Sequence, residues 1–325
     1  MSVKTELLSI LEANRETDLS GEELAKKLGV SRTAVWKAVK ALKQEGYQID
    51  AANNRGYRLQ EATDVLSGEG IRLGLSGDRK NFPIQVHKVL DSTNVEAKRC
   101  ALEGEPHGLT VIAEEQTNGK GRLGRNFYSP PGTGIYMSIL LRPELTGADA
   151  VLVTTAASVA VCRGIRKTLG LEPQIKWVND VYLGDKKICG ILTEAVSDFE
   201  VGKIDTVVVG IGINYRTDEF PDELKEKAGS VLPKKNVPRN VLIAEVLNEF
   251  WDIYENLTER EFMEDYRTYS NVIGKEVRFL EKDVWYEGKA LDIDNDGGLI
   301  IECRDADGHP STRTLHTGEI TLRWK

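Results

Sequence analysis

The segment Gln116-Thr-Asn-Gly-Lys-Gly-Arg-Leu-Gly-Arg125 puts three glycines and three cations into ten residues. Gly119, Gly121 and Gly124 formally spell GxGxxG, the fingerprint of a dinucleotide-binding turn. That fingerprint needs a helix to open at its glycines. Asn126-Phe-Tyr-Ser-Pro130-Pro131-Gly132 cannot supply one, because paired prolines lack the amide hydrogens a helix uses. A nicotinamide site is therefore rejected. Glycines interleaved with Lys120, Arg122 and Arg125 suit instead a mobile loop that closes over an anion, with guanidinium forks gripping phosphate or carboxylate oxygens. The bland alternative, a flexible surface loop, leaves unexplained why cations concentrate where the surrounding sequence is acidic.

A second constellation is Lys176-Trp-Val-Asn-Asp180, followed by a hairpin through Glu194 in which Gly184 and Asp185 supply the turn. Lys187 opens the returning strand just ahead of an apolar run, where a partly desolvated ammonium can face an anionic ligand. Alone it reads as an exposed hairpin lysine. Beside Asn179, Asp180 and the cationic loop it becomes a candidate ligand for negative charge.

These side chains need a scaffold of catalytic size. Over residues 64–270, strand-like runs (110–113, 135–141, 206–213) occur with helix-like runs (95–102, 151–169, 240–256), which predicts a mixed α/β or α+β domain. Beyond Gly274, short strands at 276–280, 288–293, 299–303 and 320–323 predict a small β-barrel. Asp292-Ile-Asp-Asn-Asp296-Gly297 imitates a calcium loop, but its twelfth position is Cys303 rather than glutamate and its flanks are strands. Residues 294–298 are therefore read as a hairpin turn.

At 325 residues the chain is too long for one compact core, and two or three domains are expected. Its 40% apolar and 29% charged residues fit a protein that folds in water, not disorder or a membrane bundle. The most apolar stretch, 151–165, is broken by Thr154, Thr155, Ser158 and Arg163 and is shorter than the roughly 20 residues that span a bilayer, so no membrane partner is expected. The start, MSVKTELLSI, has no apolar signal region, which makes the cytoplasm the expected location. Cys100, Cys162, Cys189 and Cys303 are scattered singly, as reduced thiols would be. A net charge of -8 has the wrong sign for indiscriminate nucleic-acid binding. Residues 1–63, however, hold ten basic and nine acidic residues, so the excess acid lies downstream.

Inside that near-neutral segment, residues 24–43 carry Lys26, Lys27, Arg32, Lys37, Lys40 and Lys43 and no acid. Ser20 and Glu23 have capping-box spacing, and a helix through Leu28 follows. Gly29 permits a tight turn, and Ser31 suits the N-cap of a second helix whose Val35, Ala38, Val39 and Leu42 share one face. The spacing of Ala25, Gly29 and Val35 predicts a helix-turn-helix; strands at 46–50 and 56–59, joined at Asn53-Asn54-Arg55, predict a wing. The candidate DNA-binding residues are Ser31, Arg32, Thr33, Trp36, Lys37 and Arg55. Arg32 and Thr33 are expected near base edges, and Lys37, Lys40 and Arg55 on phosphates. A specific site usually needs two such readers, so a dimer is expected.

Ser92-Thr93-Asn94, the 116–125 loop, residues 176–180, Lys187-Ile-Cys-Gly-Ile-Leu192 and Gly210-Ile-Gly-Ile-Asn214 occur in an order that resembles the biotin protein ligases. With the amino-terminal reader included, nearly the whole chain resembles the bifunctional class, in which the ligase is also the biotin operon repressor. The resemblance implies an α+β multidomain chain: a winged helix-turn-helix at 1–63, a class II synthetase-like mixed α/β catalytic domain at 64–270, and an SH3-like β-barrel at 271–325 that closes near Gly318-Glu-Ile320. It also implies a two-step reaction with biotin and ATP as substrates and Mg2+ accompanying ATP. Biotin's carboxylate attacks the α-phosphorus to give biotinyl-5'-adenylate, and a lysine of a carboxylase acceptor domain then displaces AMP.

By that similarity Lys187 and Arg122 are catalytic, offsetting the repulsion between two anions. Ser92, Thr93, Asn94, Gln116 and Gly212 line the biotin pocket, with Thr93 and Asn94 on the ureido group; Lys120, Gly121 and Arg122 close over the adenylate; Asn179 and Asp180 lie near the nucleotide. Three positions depart from the family pattern: Lys120 and Val178 stand where arginine and proline are common, and Phe127 where tryptophan is familiar. The implied switch is a ligand-promoted homodimer, which forms on operator DNA when acceptor is scarce and adenylate persists. A regulator that senses an anion without ligase activity, or a lipoate-type ligase, are the alternatives.

Overall fold

The computed structural model describes residues 2–52, 55–143, 149–197, 204–232, 237–281, 284–304, 308–316 and 320–322. The chain divides into two compact units, Met1–Asn81 with Pro233–Glu245, and Phe82–Leu232 with Val246–Lys325.

In the first unit, helices α1 (Val3–Ala13), α2 (Gly21–Leu28) and α3 (Arg32–Gln44) pack around Leu7, Leu11, Leu24, Val35, Leu42 and Leu59, all at most 1% exposed. The capping box is present: the Ser20 hydroxyl accepts from Glu23 N at 3.0 Å, and the Glu23 carboxylate accepts from Ser20 N at 3.3 Å. Gly29 ends α2 with a left-handed φ of 64°, and Ser31 caps α3 by accepting from Ala34 N at 3.2 Å. The wing pairs β1 (Ile49–Ala52) antiparallel to β2 (Gly56–Leu59). Asn53 and Asn54, at its expected tip, lie outside the described residues. Gly56 is required there, since φ is 96° and a Cβ would stand 2.1 Å from the Leu19 carbonyl oxygen. Helix α1 was not expected from the sequence, although Ser2 caps it and Leu7, Leu8 and Leu11 form its buried stripe. A short α4 (Gly68–Gly74) closes the unit. There Ser67 N donates to Asn240 Oδ1 at 3.2 Å and Arg239 Nε donates to Asp64 Oδ2 at the same distance.

The second unit opens with β3 (Ile84–Leu90), α5 (Thr93–Leu102), β4 (Thr110–Gln116), β5 (Gly134–Leu141) and α6 (Asp149–Leu169). It continues with β6 (Gln174–Lys176), β7 (Asp180–Leu183), β8 (Lys186–Ser197) and β9 (Ile204–Asn214). The strands form one seven-stranded sheet in the order β3-β4-β5-β9-β8-β7-β6; the β3–β4 pair is parallel and every other pair antiparallel. Pairing aligns Asp180, Gly190, Gly212 and Tyr136 in one row across the sheet, and Leu192, Gly210 and Ser138 in the next. The rows are two residues apart along each strand and therefore share a face. Helix α5 covers that face. Helix α6, with Val153, Ala156, Ala157 and Ile165 fully buried, lies against the other, where Thr154 Oγ1 donates to Thr193 Oγ1 at 2.7 Å.

After α7 (Asp222–Lys225), α8 (Arg239–Glu255) and α9 (Phe262–Tyr269) comes an antiparallel five-stranded sheet. Its strands are β10 (Glu276–Glu281), β11 (Val284–Ile293), β12 (Leu299–Arg304), β13 (Pro310–Leu315) and β14 (Ile320–Leu322), in the order β13-β12-β11-β10-β14. Strand β13 escapes sequence reading because its PSTRTL is polar and starts with proline. The 294–298 segment is a turn, as expected: Asp294 Oδ1 accepts from Asp296 N at 2.9 Å and from Gly298 N at 2.7 Å. Gly318 and Glu319 lie outside the described residues. No described helix is long and apolar enough to cross a membrane.

Candidate active site and nucleic-acid interface

The amino end of α5 carries Ser92, Thr93 and Asn94, all buried. Thr93 donates to Gln116 Oε1 twice, from its amide at 2.8 Å and its hydroxyl at 3.1 Å. The backbone donor fixes the Gln116 amide, whose Nε2 then points to Ser129 Oγ at 2.9 Å; Ser129 in turn donates to the Phe127 carbonyl at 2.9 Å. Ser138, on the sheet below, donates toward Asn94 Oδ1 at 2.6 Å and lies 2.8 Å from Thr93 Oγ1. Both Asn94 amide hydrogens are committed within the protein, to the Leu192 carbonyl at 3.2 Å and to Glu194 Oε2 at 2.8 Å. Ser92 differs. It is 2% exposed and its hydroxyl makes no capping bond.

Burial alone would raise the Glu194 carboxyl. Hydrogen bonds from Lys98 and Asn94, with the charges of Lys98 and Lys120, outweigh it and hold the group below the usual carboxylate range. The stability this anion lends α5 is therefore present above the ordinary carboxylate pKa and is lost as pH falls through the lower folded value.

Glycines make the floor. A Cβ on Gly210 would stand 2.1 Å from Asn94 Oδ1, and one on Gly212 would stand 2.6 Å from the Phe127 ring. A Cβ on Gly190, opposite Gly212, would stand 3.3 Å from the same ring and from the Lys187 ammonium. Phe127 thus rests where side chains are absent, with its ring edge-on to Tyr136 at 6.4 Å. It closes the cationic loop, which folds on itself: Gly121 N donates to Arg125 O at 2.7 Å and Phe127 N to Gly119 O at 2.9 Å. Leu123 at the loop tip has φ 55° and is 76% exposed. Lys120 is exposed, whereas Gly121 and Arg122 are half-buried.

The same row ends in charge. Lys187 Nζ lies 2.6 Å from Asp180 Oδ1, an ion pair whose angle falls short of an aligned hydrogen bond although that oxygen is buried. Arg122 Nη1 donates to Asn179 Oδ1 at 3.0 Å, and Asn179 Nδ2 donates to the Ile191 carbonyl at 2.7 Å. The segment is anchored from behind: Trp177 Nε1 donates to Gly297 O at 2.9 Å and Tyr266 Oη donates to Val178 O at 3.0 Å. The Trp177–Val178 peptide is cis. Burial, and then the Asp180 charge, push the Tyr182 phenol up to about 12, so it stays protonated. All four thiols are buried, and burial drives Cys162 and Cys189 well up, leaving them without nucleophilic thiolate. Among the described residues no group of three or more His, Cys, Asp or Glu could hold a metal ion.

In the first unit, α3 buries Val35, Ala38, Val39 and Leu42 and leaves Arg32, Thr33, Trp36, Lys37 and Lys40 exposed. Trp36 is 51% exposed, with Lys40 Nζ 5.5 Å from its ring. Ser31 is at the helix start, and Arg55 is exposed at the wing turn. A helix N-terminus and cations on one exposed face are what a major-groove reader presents.

Comparison with known proteins accords with this geometry. The HTH domain model matches residues 4–58, the Biotin/lipoate A/B protein ligase family model residues 86–214, and the Biotin protein ligase C terminal domain model residues 272–323. The bifunctional ligase/repressor BirA of Bacillus subtilis is 34% identical over 99% of both chains. That of Escherichia coli is 30% identical over 99% of this chain and 98% of its own. The chain belongs to the bifunctional biotin protein ligase/repressor family. Among solved structures, the biotin protein ligase from Aquifex aeolicus in complex with biotin and ATP superposes with a TM-score of 0.64 at 28% identity, covering 75% of this chain and 99% of that one.

In this family member the sequence-marked residues gather on one face of the large sheet. Ser92, Thr93, Asn94 and Gln116 meet at α5, and Arg122, Asn179, Asp180 and Lys187 meet at the start of β7, toward which the Lys187 side chain reaches from β8. Gly212 lies beneath Phe127. Sequence reasoning missed Lys98, Ser129, Ser138 and Glu194, which tie the ligase motifs together. Strand alternation was the available signal for Glu194, which shares the Gly190 and Leu192 face.

Proposed function

We propose that this chain is an ATP-dependent biotin protein ligase and a biotin-responsive repressor. Residues 1–63 act as operator reader, 64–270 as catalytic domain and 271–325 as carboxyl-terminal domain. The carrying observation is that Arg122 and Lys187, held by Asn179 and Asp180, converge on a glycine floor whose next row bears the Thr93–Asn94–Gln116 network. Two anions must meet there, and fixed cations at the meeting point lower the barrier more than mobile ones would.

In the first step the biotin carboxylate attacks the α-phosphorus of ATP and pyrophosphate leaves. In the second, an acceptor lysine amine attacks the acyl carbon, an amide forms and AMP leaves. Magnesium enters with the nucleotide and neutralises phosphate charge. Ser92, with its hydroxyl uncommitted to a cap, and the remaining Gln116 amide hydrogen serve biotin. Asn94 orients the pocket through its neighbours. Lys120, Gly121 and Arg122 cover the adenylate and exclude water. A cytoplasmic location, acceptor domains of carboxylases and operator DNA as partners belong to this reading.

Pairing of two readers completes the switch. Strand β7 pairs only with residues 186–190 of β8, so among the described residues the outer half of β8 has a neighbouring strand on one side only. That edge supports a homodimer that bound adenylate favours. Incubated with biotin, magnesium ATP and an acceptor domain, the protein should attach biotin to one acceptor lysine, read by intact mass. Arg32→Ala should weaken operator binding by about 10- to 100-fold while ligation persists. Equal loss of both activities, or unchanged operator binding, would contradict the division of labour.

A further inference from the structure

Glu194 lies outside the groups that face the reacting atoms, yet it ends the chain of hydrogen bonds that builds the biotin end of the site. Its Oε1 is 2.6 Å from Lys98 Nζ, one turn along α5 on the same face as Asn94, and its Oε2 accepts from Asn94 Nδ2 at 2.8 Å. A carboxylate only accepts, so it dictates which way the Asn94 amide faces. With Nδ2 turned to Glu194 and to the Leu192 carbonyl, Oδ1 must face Ser138, which donates to it at 2.6 Å. A flipped amide would set its oxygen against two acceptors, the Leu192 carbonyl and the Glu194 carboxylate. With its one hydrogen given to Asn94, Ser138 Oγ is left to accept from the Thr93 hydroxyl 2.8 Å away, which it shares with Gln116, while the Thr93 amide fixes Gln116 Oε1 at 2.8 Å.

We propose that Glu194 is a positioning residue for biotin. Through Asn94 it fixes the polarity of the Ser138–Thr93–Gln116 network and the seating of the α5 amino end, and so aims Ser92 and Gln116 at the acid substrate. This inference rests on the ligase reading. It assigns Glu194 to acid binding and separates it from the phosphoryl end, where Lys187 and Arg122 act. The side chain is 28% exposed, so the anion is shielded enough to hold a fixed geometry without an isolated buried charge.

The test compares steady-state kinetics of biotin-dependent ATP–pyrophosphate exchange, together with direct biotin binding by calorimetry, in wild type, Glu194→Ala, Glu194→Gln and Lys98→Met. Glu194→Ala should raise the biotin KM and Kd by about tenfold, with kcat and the ATP KM within about twofold. Glu194→Gln keeps an acceptor for Asn94 and should recover most of the loss. Lys98→Met, which removes the lysine but leaves the Glu194–Asn94 bond, should have a smaller effect than Glu194→Ala. A merely structural role would lower the active fraction, and thus kcat, with biotin KM unchanged; that result overturns the proposal, as does unaltered binding by Glu194→Ala. A wild type that neither binds biotin nor catalyses exchange would overturn the ligase reading and the inference with it.

Discussion

Lys187→Ala should lower biotin-dependent ATP–pyrophosphate exchange by about 10²- to 10³-fold, the scale of losing one preorganised donor to a developing anionic centre. The fold should survive, because the ammonium sits at a hairpin start and not in the core. The effect exceeds simple truncation for a reason visible in the site. Lys187 Nζ lies 2.6 Å from Asp180, whose Oδ1 is buried. Remove the lysine and that carboxylate faces two arriving anions uncompensated, adding repulsion to lost attraction. Lys187→Arg should not rescue, since a planar fork does not reproduce the compact point charge held 2.6 Å from Asp180 Oδ1. Circular dichroism and single-turnover exchange together check both statements. Loss of fold, or loss confined to KM for ATP, would show that Lys187 does not act at the reacting centre.

Gly210→Ala should abolish measurable biotin binding and destabilise the second unit by about 1–3 kcal/mol. The new Cβ would stand 2.1 Å from Asn94 Oδ1 and 3.0 Å from Nδ2. Asn94 has nowhere to retreat: its oxygen is held by Ser138, and its nitrogen by Leu192 and Glu194. Moving it breaks the same bonds that seat Thr93 and Gln116. Gly212→Ala makes a milder contrast. Its Cβ meets the Phe127 ring at 2.6 Å, a side chain that can swing, so the expected penalty falls on loop closure over the adenylate rather than on binding of free biotin. Calorimetric titration with biotin and a thermal melt distinguish the pair; equal behaviour of the two alanine variants would contradict the assigned division of the floor.

Much of this was legible because local chemistry and local structure coincide. Ser20, Glu23, Gly29 and Ser31 act within a few residues of one another, and their caps and turn form as expected. The hairpin at Gly184-Asp185, the lysine after it and the 294–298 turn are likewise local devices. Helix α1 is hard to see in the sequence because its buried stripe is only Leu7, Leu8 and Leu11, and its cap is the second residue of the chain. Strand β3 is an edge strand whose IQVHKVL is only half-buried, and β13 has a single buried aliphatic residue, Leu315, at its end, so neither shows an apolar run. The network through Glu194 was hidden for a different reason. Its members come from α5, β4, β5, β8 and the loop before β5, and only the strand register brings residues 94, 116, 138 and 194 together. Sequence spacing marks residues that touch a ligand more readily than those that aim them.

The most direct test of the central claim is exchange of labelled pyrophosphate into ATP by the wild-type chain, with biotin and lipoate supplied separately. Exchange with biotin, and its collapse in Lys187→Ala, is the expected result, because adenylate formation is reversible and needs no acceptor. No exchange with either acid would contradict the ligase account and leave an anion-sensing regulator, whereas exchange with lipoate alone would contradict the assignment of biotin as the substrate.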